Sequence, residues 1–163
     1  MRQYAKYLII IMITNSHLSF AGELVPSLFR AAWGQQGVSK TQDVTVKRQR
    51  FLRINIGLLN TEEKARQHDE LLLSLFDDTT FVAKLERVET FSGNGVGWVG
   101  HLKSVEDSQV IFIIRNGQMT GNIVLPDALY KIGNDGKNGL HTIKEIKLSN
   151  IPPEFPAVKP KTQ

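Results

Sequence analysis

Four histidines, sixteen acidic residues and no cysteine are the raw material for any reaction this chain could run. Metal-dependent hydrolysis needs ligands at fixed spacing, such as two histidines one helical turn apart with a glutamate between them. His17, His68, His101 and His141 stand alone, with no second histidine within a turn. The tightest group is His68-Asp69-Glu70, and adjacent residues on a helix point apart. Lone histidines serve as surface or core residues, so no metal and no cofactor are expected. Composition excludes thiol chemistry. No Gly-x-Ser-x-Gly elbow occurs either, and Ser92-Gly93 sits in a turn with no helix after it.

Three further patterns invite a chemical reading. Gly95-Val96-Gly97-Trp98-Val99-Gly100 matches the dinucleotide fingerprint letter for letter. That fingerprint works only between a strand and a helix whose N-terminus faces the pyrophosphate. A β-like run containing Trp98 follows instead, so the glycines are read as sites of close packing or strand bending. Asp77-Asp78 offers two carboxylates, but acid–base pairs face each other across a substrate about 5–10 Å apart. A turn whose acids accept backbone N–H bonds is the simpler account. Asn134-Asp135-Gly136 lacks the alternating acids of a calcium loop. Lys47-Arg48-Gln49-Arg50 is the densest basic cluster, and it is too sparse to indicate nucleic acid. No enzyme is expected.

The elements around these residues read as mainly β. Arg2, Lys6, the apolar run from Leu8 to Ile13, and small residues at Ser19 and Ala21 form a three-part secretory leader over residues 1–21. The run is shorter than the roughly 18–20 residues that span a bilayer, so a secreted or periplasmic product, free of the membrane after cleavage, is expected. Cleavage removes Arg2 and Lys6 and no acid, lowering the formal charge from +4 to +2. Residues 22–42 form a mixed N-terminal segment, partly loop, with a short amphipathic helix possible over residues 26–33.

From Asp43 the pattern is clearer. Leu52, Ile54, Ile56 and Leu58 fall on one face at period two, as in a half-buried strand. Asn60-Thr61-Glu62-Glu63 starts a helix over about 61–68. Strands are predicted over 71–76, 80–91, 96–102, 110–114, 119–125, 129–132 and 140–148. The continuously apolar 110–114 run suits a strand covered on both faces, and Asn116-Gly117 after it is a strong hairpin signal. Residues 43–149 therefore make one antiparallel meander, sandwich-like or open-barrel, with one or two short helices. Prolines 152, 153, 156 and 160 turn residues 150–163 into an extended linker.

Several stretches together resemble the N-terminal propeptide of secreted bacterial zinc metalloproteases of the reprolysin-like (metzincin) kind. They are Arg53-Ile54-Asn55-Ile56-Gly57-Leu58-Leu59, Leu75-Phe76-Asp77-Asp78 and Gly97-Trp98-Val99-Gly100-His101-Leu102. Val110-Ile111-Phe112-Ile113-Ile114-Arg115-Asn116-Gly117, Gly121-Asn122-Ile123 and the proline-rich exit follow in the same order. In such precursors a catalytic domain with a His-Glu-x-x-His helix comes after the linker. This sequence ends at Gln163 without one, so the protease activity and its zinc ligands do not carry over. The resemblance implies a propeptide-like module that binds a zinc metalloprotease catalytic domain as inhibitor or folding helper. Phe76, Trp98, Ile151 and Phe155 are the expected contacts, because buried aromatic and apolar anchors dominate interfaces. Two alternatives remain open: a periplasmic or cell-surface β binding module for another ligand, and a truncated remnant of a metalloprotease precursor.

Overall fold

A computed structural model describes residues 24–32, 43–134 and 139–148; the leader and the proline-rich exit, with Ile151 and Phe155, lie outside these described residues. Alternating side chains do most of the folding. Along β6 (Gln109–Arg115), Val110, Phe112 and Ile114 are buried while Gln109, Ile113 and Arg115 face out. The same period of two runs through β3 (Glu70–Phe76), β7 (Gln118–Val124) and β9 (His141–Ile146). With β4 (Thr79–Phe91), β5 (Gly95–Leu102) and β8 (Leu129–Asn134), these strands form a continuous antiparallel meander. β2 (Val46–Ile54) joins it by pairing with β9, and β1 (Phe29–Ala31) pairs with β2.

The result is one nine-stranded sheet in the order β1-β2-β9-β8-β7-β6-β5-β4-β3. Nine strands, each antiparallel to the next, leave the two outermost running in the same direction. A barrel built this way can close only through a parallel contact, and it does: Ser27 bridges Leu72 in parallel. The Leu28 N–H donates to the Leu72 carbonyl at 3.0 Å, and the Leu72 N–H donates to the Pro26 carbonyl at 2.9 Å. The sheet is thus a nearly closed barrel, the open-barrel form of the expected meander.

Turn chemistry fixes the register. Asn116 and Gly117 have φ of 50° and 71°, the left-handed pair that lets a two-residue loop follow the strand twist. Over the end of the barrel that holds this hairpin, the chain passes from β2 to β3 through a 3₁₀ turn (Ile56–Leu58) and α1 (Glu62–Gln67). Thr61 caps α1 by accepting the Lys64 N–H, and Glu62 pairs with Arg66 one turn on. Leu59 and Ala65 are fully buried there. Inside the barrel, Trp98 stacks on Phe112 at 5.8 Å between ring centroids, and Phe29 meets Phe112 edge-on at 6.1 Å.

Three expectations need correction. Residues 26–32, the described part of the span expected to be helical, do not form a helix: the Leu28 N–H and carbonyl are taken by Leu72 and Asn55, long-range partners that displace local i to i−4 bonding. The period-two run of Leu52 and Ile54 stops before Ile56 and Leu58, because the chain must turn across the barrel end, with the Leu59 N–H bonding the Ile56 carbonyl. The 110–114 strand is covered on one face only, since a barrel's outer wall meets solvent and Ile113 is 41% exposed.

Candidate functional site

The opposite end of the barrel, away from α1, carries the densest charge network among the described residues. It begins with a bulge. Val46 pairs with Ile146 and Arg48 with Glu145, so two steps along β2 match one along β9. A bulge sets two residues against one, which brings both Lys47 and Arg48 to Glu145. Lys47 Nζ lies 2.5 Å from Glu145 Oε1, and Arg48 Nε lies 2.5 Å from Oε2. The Glu145 side chain is only 6% exposed.

Arg48 uses the rest of its fork outward. Its Nη1 donates to both Asp78 oxygens at 2.8 Å, and Nη2 donates to Thr79 Oγ1 at 3.0 Å. The guanidinium lies 4.0 Å above the Phe76 ring, which in turn meets Tyr130 at 6.2 Å. Arg50, two residues on, donates to Asp77 at 3.2 Å and to the Ser74 carbonyl at 2.5 Å. An open depression of about 580 Å³ lies against this network, lined in part by Arg48, Asp78, Tyr130, Glu145 and Asp127.

The electrostatics follow from this geometry. Hydrogen bonds from Arg48, then from Thr79, hold Asp78 at about 2. Burial alone would raise Glu145, but hydrogen bonds from Lys47 and Arg48 outweigh it and keep the carboxyl below its usual range. Both acids are therefore ionised and committed to cations at neutral pH. The cluster is a set of mutually paired charges at the rim of the barrel, with Lys47, Arg48 and Arg50 bound to Glu145, Asp78 and Asp77.

The predicted residues fall in different places. Phe76 is buried at this mouth under Arg48, while Ile151 and Phe155 lie outside the described residues. Trp98 is fully buried, because its position on β5 faces inward with Val96 and Leu102. In this barrel the indole faces the core, and the partner contact expected of it has no exposed surface here. Asp77-Asp78 is the β3–β4 turn, with each acid bound to a different arginine. The glycine fingerprint lies within β5, with no helix after it. Phe91 covers Gly97 from the outer wall, and the Trp98 ring covers Gly100 from inside. Among the described residues no group of three potential metal ligands comes together, and His101 instead bonds Glu86 at 2.7 Å.

His141 is buried, and its Nε2 accepts the Met119 N–H at 3.2 Å, which assigns the ring proton to Nδ1. Burial lowers its pKa. The unfolded chain therefore binds this proton more readily than the folded one. Stability is full above the ordinary imidazole value and declines as pH falls through it. The urea midpoint should be lower at about pH 5.5 than at about pH 7.5, and His141→Gln should reduce that difference. A difference unchanged by the substitution would place its origin elsewhere. Asp78 adds a later loss, as pH falls from 3.8 toward about 2.

Arg48 stood in the sequence only as part of a basic cluster, and its pairing with Glu145 was not visible there because the two meet across 97 positions. The available signal was an adjacent Lys-Arg pair on one strand with a glutamate on the last. No family model, curated protein or solved structure matches the chain.

Proposed function

We propose that this chain is a non-catalytic, exported module of the propeptide type that binds a zinc metalloprotease catalytic domain in trans, as inhibitor or folding helper. The sequence resemblance suggests the partner, and one structural observation carries the reading furthest. β9 delivers the chain to the charged mouth, where Leu148 is its last described residue. The described chain therefore ends on the side where Leu75-Phe76-Asp77-Asp78 forms its turn. This turn, and the point from which the sequence continues into the proline-rich exit, share one end of the molecule. A proline-rich segment is suited to lie along a protease cleft, where backbone hydrogen bonds give affinity and alternate side chains give selectivity. Proline lowers the entropy cost of ordering such a segment.

The test is a pull-down with residues 22–163 as bait from the secreted proteins of the natural source. Enrichment of a zinc metalloprotease is the expected result; a specific catch without any metalloprotease contradicts the proposal.

A second reading has its own observation. Phe91, 45% exposed, and Ile113 flank Gly97 on the outer wall, at the end of the barrel opposite the mouth. An exported module for another ligand would use that patch. Its aromatic member already has a packing role as cover for Gly95 and Gly97, so the first reading is preferred.

A further inference from the structure

The depression at the mouth has linings of two kinds. Arg48, Asp78 and Glu145 are already bound to one another, with Lys47 on Glu145. Phe81, Val105, Leu125 and Ala128 present apolar surface to the same space of about 580 Å³. Leu125 is buried, and the other three pack half-buried against the barrel core. A concave surface with apolar walls and a few polar groups is the usual form of a ligand pocket.

Two groups in it are uncommitted. Asp127, between β7 and β8, is exposed, and its carboxylate makes no ion pair or hydrogen bond among the described residues. An aspartate on the surface is ordinarily just solvated, so Asp127 alone marks nothing. Tyr130 is the second observation. It lines the same depression while only 5% exposed, yet its O–H donates to no acceptor among the described residues. The Arg48 guanidinium bears on the phenol but can only donate. The phenolic hydrogen is therefore left for whatever enters, and a buried donor without an acceptor costs free energy. Across the lining three carboxylates, Asp78, Asp127 and Glu145, face two cations, Lys47 and Arg48. The excess negative charge is that of Asp127.

We infer that this depression is a binding site for a basic side chain, lysine or arginine, carried on a partner's peptide. The cationic head pairs with Asp127, the methylene stem lies against the apolar lining, and a peptide carbonyl accepts the Tyr130 hydrogen. Such a residue supplies all three of the things that the lining lacks: a positive charge, apolar surface and an acceptor. An anionic group would instead meet the excess of carboxylate. The site needs no protease and is tested without one, so its failure and that of the propeptide reading are separate results.

The experiment is a titration of the full chain with N-acetyl-lysine and N-acetyl-arginine methylamides, followed by the amide chemical shifts. The norleucine methylamide, with the same stem and no charge, and the glutamate methylamide are the comparison probes. The basic probes should give saturable shifts centred on residues 78–81 and 125–130, at roughly millimolar concentration for ligands of this size. Both comparison probes should bind at least about threefold more weakly, the worth of an exposed ion pair. Asp127→Asn and Tyr130→Phe should each weaken the basic probes by about threefold. Neither removes a contact of the fold, since Asp127 is unpaired and the Tyr130→Phe ring still meets Phe76. The inference is overturned by the absence of localised shifts with both basic probes, by equal affinity for norleucine or tighter binding of glutamate, or by unchanged affinity in either variant.

Discussion

Gly100→Ala should destabilise the barrel by about 3 kcal/mol, the upper part of the range for overpacking a tight core. A methyl group at this position would sit 2.1 Å from the Lys84 carbonyl oxygen and 2.9 Å from two atoms of the Trp98 indole. The indole is stacked on Phe112 and cannot withdraw without disturbing that ring. The carbonyl belongs to the neighbouring strand, where β4 carries a bulge between Leu85 and Arg87. Relief would therefore require backbone movement. Gly133→Ala is the control: its nearest neighbour is Thr142 Oγ1 at 3.8 Å, an ordinary contact, so the change should be close to neutral. Urea unfolding of the two variants at pH 7 checks both statements, with a midpoint that falls for Gly100→Ala and holds for Gly133→Ala. Equal midpoints would mean that Gly100 is not packed as described.

Arg48→Met should cost about 2–3 kcal/mol. Removing one partner of a buried ion pair is expensive, because the other charge stays behind in a poor solvent. Here that charge is Glu145, 6% exposed. The cost is set below the full penalty because Arg48 is 27% exposed and Lys47 remains bonded to Glu145. Arg48→Met/Glu145→Leu should recover most of the loss, since apolar replacements of similar volume remove the stranded charge. A double-mutant cycle then gives a favourable coupling between the two sites. Strict additivity would mean that Arg48 acts through its contacts with Phe76 and Asp78 alone.

Much of the fold was legible where local chemistry decides it. Asn116-Gly117 needs positive φ at both positions and has it. Thr61 and the acids after it start α1. The alternation of Val110, Phe112 and Ile114 with more exposed neighbours marks β6, although its apolar neighbours Ile111 and Ile113 made the strand look covered on both sides. What escaped is what depends on distant partners. Leu28 and Phe29 carry a pattern that suits a helix, yet Leu72 and Ile54 recruit their backbone into a sheet. Ile56 and Leu58 keep the strand's period after the chain has left the strand. The charged mouth required knowing that the second strand pairs with the last, and that a bulge brings Lys47 and Arg48 to one glutamate. Trp98 was legible as a large anchor, but its direction is set by the register of β5 against β4 and β6.

The role proposed for this barrel can be met with one titration. Residues 22–163 are added, under calorimetry, to a purified zinc metalloprotease catalytic domain from the same source, and peptide hydrolysis is followed in parallel. Saturable one-to-one binding is predicted, with hydrolysis lost in step or, for a folding helper, with recovery of active protease from denaturant increased. No heat of binding, unaltered hydrolysis and unaltered refolding, against every such protease the source secretes, would contradict it.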